Sequence, residues 1–115
     1  MEKFRELKVW QKAHDLTLAV YKITTSYPGT EKYSLVSQMR RAAVSVVANI
    51  VEGTKRKTIA DRAHFHTMAD TSLEELKYYV ILSSDLKLIL STDAEKLNTM
   101  AREVGAMLNS LTKKL

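Results

Sequence analysis

Between residues 34 and 57 the chain reads SLVSQMRRAAVSVVANIVEGTKRK. On a helix, Leu35, Val36, Met39, Ala42, Ala43, Val46, Val47, Ile50 and Val51 cover close to half the circumference, more than one core contact requires. Neighbours on two sides are therefore expected. Gln38, Arg41, Ser45, Asn49 and Glu52 recur at spacings of three and four on the other side, with Ser34 extending the row. Ser34 or Thr30 can cap this helix and Gly53 can stop it, which places it at 34–53.

The segments on either side carry the same period. Val9, Ala13, Leu16, Val20, Ile23 and Tyr27 alternate by four and three and predict a first helix over 7–26, ended by the run Tyr27-Pro28-Gly29-Thr30. Trp10 lies beside that face, placed to seal it or to touch another chain. Thr58, with Asp61 three residues on, marks the start of a third helix. Its inner row is Phe65, Ala69, Ser72, Leu76, Val80 and Ser83, flanked by Leu73 and Tyr79, and no breaker appears before residue 90. Such a helix would be on the order of 50 Å long. Ser91-Thr92-Asp93 predicts a turn and cap for a last helix over 93–114. Its seam is Ala94, Leu97, Ala101, Val104, Leu108, Leu111 and Leu115, widened by Met100 and Met107, with Gly105 read as a close helix crossing.

Four amphipathic helices with short connections bury their stripes against one another, so the expected fold is all-α, an antiparallel four-helix bundle in a single domain over 1–115. Helix two is too broadly apolar and helix three too long for a self-contained monomer, which predicts a homo-oligomer, ring-shaped if one patch meets a different one on the next copy. Arg40 falls inside the apolar half of its helix and could pair with an acid of an adjacent subunit. Trp10, Arg40, Val47 and Val51 are the expected interface positions. Gln38, Ser45, Asn49 and Glu52 are read as structural polar positions, Asn49 half-buried and hydrogen-bonded.

Composition adds exclusions. Three glycines and one proline in 115 residues favour long helices, and the lack of cysteine removes disulfides and thiolate metal sites. MEKFRELKVW has no apolar stretch of a signal peptide and no run approaches a membrane span, so the expected location is cytoplasmic.

The chemistry of the side chains points away from catalysis. His64 and His66 are two apart on a helix and cannot clamp one ion, and no Glu-x-x-His motif is present. These two and His14 are read as surface or interface residues. Asp70 and Glu74 share a face without an identifiable partner, and no phosphate-binding glycine loop occurs. No enzyme activity, cofactor or metal is expected.

The net charge of +5 is uneven. Residues 1–31 carry five basic and four acidic side chains, 32–57 six and one, and 58–115 seven and eight. The excess suggests RNA or DNA backbone contact through Lys55, Arg56 and Lys57, with Arg41, most effectively if a ring gathers the clusters on one rim. The alternative is a protein-interaction adaptor that binds no nucleic acid.

The stretch FRELKVWQKAHDLTLAVYKITTSYPGTEKYSLVSQMRRAAVSVVANIVEGTKRKT resembles the 23S rRNA-intervening sequence proteins of bacteria, some of which are labelled ribosomal proteins. Trp10, Pro28, Gln38, Arg40, Arg41, Asn49, Glu52, Gly53 and Arg56 carry the resemblance. It spans about residues 4–90 and is most specific from Gln38 to Gly53. It implies an antiparallel four-helix bundle assembled as a ring, typically a pentamer. A related branch is the accessory protein of diversity-generating retroelements, a basic pentamer that binds nucleic acid and a reverse transcriptase. The chain departs from the pattern at Lys55, where a second glycine is common, and at Thr71-Ser72, where Gly-Ser is common. The resemblance transfers no catalytic residue.

Overall fold

In the computed structural model, which describes residues 2–115, four helices follow a short 3-10 turn at Lys3–Glu6. They are α1 (Lys8–Thr24), α2 (Leu35–Lys55), α3 (Ile59–Asp85) and α4 (Ser91–Lys113), with a second 3-10 turn at Gly29–Glu31. Each helix packs on its sequence neighbours and α1 closes against α4, so the four form an antiparallel bundle measuring 43 × 25 × 23 Å. No helix among the described residues is long and apolar enough to cross a membrane.

The core follows the apolar rows. Leu16 and Val20 of α1, Met39, Val46 and Ile50 of α2, Leu73, Leu76 and Val80 of α3, and Leu97, Val104 and Leu108 of α4 are buried side chains that fill the axis. α1 and α2 approach closely enough for the Thr17 hydroxyl to donate to the Ala43 carbonyl at 3.3 Å as well as to that of Ala13. Between α2 and α3 the Ser45 and Ser72 hydroxyls meet at 2.8 Å. The buried Ser83 hydroxyl donates to the Tyr79 carbonyl at 2.7 Å, which removes the cost of placing it inside. Gly105 faces Leu73, whose Cδ2 would lie 3.3 Å from a Cβ on the glycine, so α3 and α4 cross closely there.

Several boundaries differ from the sequence reading, each for a local reason. α3 stops at Asp85, not near residue 90, giving about 40 Å of helix. Lys87 adopts φ 60°, and its N–H bonds the Ser84 carbonyl while the Leu88 N–H bonds that of Ser83. This is a Schellman termination with lysine in the left-handed position glycine usually takes, so no glycine signals it. α4 accordingly begins two residues early, at Ser91, with Leu90 as an N-cap that offers no side-chain bond. α2 runs through Gly53 to Lys55, since Gly53 is a buried helix residue and not a stop. Ser34 does not cap α2, because its hydroxyl bonds the Glu31 carboxylate at 3.0 Å. Thr58 does cap α3, accepting from the Asp61 N–H at 3.1 Å.

One core position is also exchanged. Phe65 is half-buried and His66 takes the inner place, 6% exposed, with its imidazole lying against Gly53 of α2. His66 is therefore neither a surface nor an interface histidine.

Candidate nucleic-acid interface

The antiparallel topology brings the start of α1, the end of α2, the start of α3 and the end of α4 to one end of the bundle. The N-terminal segment contributes Lys3, Arg5 and Lys8 there, the exit of α2 Lys55, Arg56 and Lys57, the first turn of α3 Arg62, and the end of α4 Lys113 and Lys114. Against these nine cations stand four acids, Glu2, Glu6, Glu52 and Asp61. The excess of five equals the formal charge of the whole chain, so the remaining body, with nine basic and nine acidic side chains, is balanced. Shared concavities join the segments: Lys3, Phe4 and Leu7 line one with Thr54 and Lys55, and Leu7 and Lys8 line another with Leu111 and Lys114.

Of the cations expected from sequence, Lys55 and Lys57 are exposed. Arg56 is half-buried and structurally engaged: its guanidinium pairs with Glu52, lies 4.6 Å from the Phe65 ring centroid, and has its Nε buried without a partner. The Arg56 carbonyl accepts from Arg62 Nε at 2.8 Å, which ties the α2–α3 connection to the first turn of α3. Arg41 lies about 21 Å along α2 from Lys55 and does not join this end. The six further cations, Lys3, Arg5, Lys8, Arg62, Lys113 and Lys114, come from three other parts of the chain. A regional charge count cannot find them, because only the topology makes them neighbours.

Below the basic end lies a small polar cavity between α3 and α4, lined by His66, Thr67, Asp70, Leu108, Asn109 and Thr112. The Thr112 hydroxyl donates to the Leu108 carbonyl at 2.9 Å, so its oxygen accepts from His66 Nδ1–H at 2.8 Å. Burial, reinforced by the nearby Arg62 charge, lowers the His66 pKa and favours the neutral ring. Among the described residues, no group of three or more His, Cys, Asp or Glu side chains could hold a metal ion. The chain carries no catalytic motif.

The other sequence-predicted residues lie along α2 and α1. Gln38 and Glu52 are exposed, while Ser45 and Asn49 are half-buried, the Asn49 amide donating to the Ser45 carbonyl at 2.8 Å. Arg40 is engaged within the chain. Its Nε donates to Thr24 Oγ1 at 3.1 Å, its Nη2 to the Tyr21 carbonyl at 3.3 Å, and its guanidinium sits 4.5 Å from the Tyr21 ring centroid. Val47 and Val51 are half-buried. Trp10 is half-buried too, stacked on His14 at 5.0 Å and tilted against Phe4 at 5.4 Å.

A crystal structure of a protein with unknown function from the S23 ribosomal protein family of Bacteroides thetaiotaomicron has the same fold. The TM-score is 0.82 at 22% sequence identity, covering 91% of this chain and 98% of that one. Among curated proteins none matches. The pattern that defines the 23S rRNA-intervening sequence proteins matches residues 5–110, which takes in α1, α2, α3 and all but the last three residues of α4, with most of the basic end. With nearly its whole length inside that match, the chain belongs to the 23S rRNA-intervening sequence protein family.

Proposed function

We propose that this non-catalytic helical bundle is a self-associating scaffold that binds the phosphate backbone of RNA or DNA through its basic end. The carrying observation is the concentration of the entire charge excess at one end of a bundle whose body is neutral. Cations on four chain segments at one end act on a polyanion together, and each phosphate neutralised releases counterions. Contacts of this type position a nucleic acid without reading its sequence.

Self-association is supported by α2. From Ala42 to Val51 it carries no charge on any side, and Val44 is 45% exposed on its outer surface, with Leu18 and Tyr21 of α1 exposed as well. The family resemblance favours a ring of five. In a ring about an axis parallel to the bundle, every basic end lies on the same side and the contacts add.

Sedimentation and native mass measurement with and without nuclease, followed by RNA binding at rising salt, test the reading. An assembly larger than one chain that retains nuclease-sensitive RNA, with affinity falling steeply as salt rises, is the expected result. No binding at low salt would refute the nucleic-acid role. A partner protein retained after nuclease treatment would favour the adaptor.

A further inference from the structure

We infer that copies of this chain join heterologously, the outer face of α3 in one copy entering the groove between α1 and α2 in the next. The inference rests on the self-association proposed above and names its two surfaces.

The groove is the first. Tyr21 and Val44 line it with the outer residues Ser37 and Ala48 of α2, and Lys32, Arg40 and Arg41 line it without any acid. Arg41 is exposed and has no ion-pair partner among the described residues. From Val36 to Ala48 the groove runs about 18 Å along α2.

The second surface is on α3, which is apolar on more than its core side. Met68, Thr71, Glu75 and Tyr78 alternate by three and four on its outer face, a stripe about 15 Å long that half-buried Leu82 continues toward the core. Met68 is 41% and Tyr78 56% exposed, on a helix whose inner row is already buried. Glu75 stands mid-stripe without an ion-pair partner among the described residues, whereas its neighbour Glu74 is held by Lys77 at 2.8 Å. An unpaired acid between apolar side chains complements an unpaired arginine beside apolar side chains, in the helix-in-groove manner.

Register supports the same pairing. Within one chain Ser45 meets Ser72 and Met39 meets Ser83, so Glu75 stands at the level of residues 42–47 of α2. Rotation about an axis parallel to the bundle preserves that level and carries Glu75 of the next copy to within about two turns of Arg41. It also sets Thr71 against Ala48 and Met68 against Val51. The two surfaces lie on adjacent sides of the bundle, not on opposite ones. Successive copies therefore turn with α2 on the inner side, and such a contact closes into a ring where its rotation returns to the first copy.

Charge reversal tests this on the full chain, with circular dichroism to verify folding. Arg41→Glu and Glu75→Arg should each reduce the sedimenting mass toward the 13.1 kDa of one chain, and the double variant should reassemble. Single variants that keep the wild-type mass, or a double variant that stays dissociated, would overturn the pairing and leave self-association standing. A wild-type chain that sediments at 13.1 kDa would overturn both.

Discussion

His66 is held between Gly53 of α2 and Thr112 of α4 as a neutral ring, and this has a pH consequence. Its folded pKa lies below the ordinary 6.5, so the unfolded chain binds a proton more readily than the folded one. Stability is therefore complete above about pH 7, falls as pH drops through the ordinary value, and levels off below the depressed folded one. Thermal melts between about pH 7 and pH 5 should show this decline, and His66→Gln should flatten it; an unchanged slope in the variant would reject the assignment. Gly53 is the other half of the contact. A Cβ there would meet His66 and Phe65 at 3.4–3.5 Å, which is ordinary packing distance. Gly53→Ala should therefore stabilise by up to about 1 kcal/mol in urea titrations, the helix-propensity difference. From sequence, Gly53 reads as a stop and His66 as a surface or interface residue. Both errors have one cause, because a contact between a glycine of one helix and a ring of another leaves no local trace.

At the scale of elements, all four helices were legible, and their inner rows too except where His66 replaces Phe65 in α3, since a 3.6-residue period sustained over many turns has few competing interpretations. The errors gather at the ends. The α3–α4 junction was displaced because Lys87 adopts a left-handed conformation that only glycine or asparagine would advertise. Lys87→Gly should raise stability by about 1 kcal/mol through relief of that conformation, read as a shifted denaturation midpoint at constant slope. The crossing at Gly105 behaves in the opposite sense. Leu73 is fully buried 3.3 Å from the position of a Cβ, so Gly105→Val should destabilise by about 1–3 kcal/mol through overpacking.

For the whole molecule, the candidate site was legible only in its α2–α3 portion, the run Lys55, Arg56 and Lys57, whose middle member proves to be engaged with Glu52 and Phe65. The rest depends on which helix ends coincide, a property of topology that no window of sequence contains. Salt dependence separates the contributions. Replacing both Lys55 and Lys57 by alanine should reduce the slope of log affinity against log salt by about 1.4 on single strands or 1.8 on duplex for each chain in contact, while the fold is retained. Arg41→Ala should leave that slope unchanged in any species of equal subunit number. The displacement of charge from a neutral body makes the 43 Å bundle a permanent electric dipole as well as a cation. In the field of a polyanion such a particle experiences a torque before it makes contact. On the nucleic-acid role proposed above it would arrive end-on, with its long sides still free for other chains.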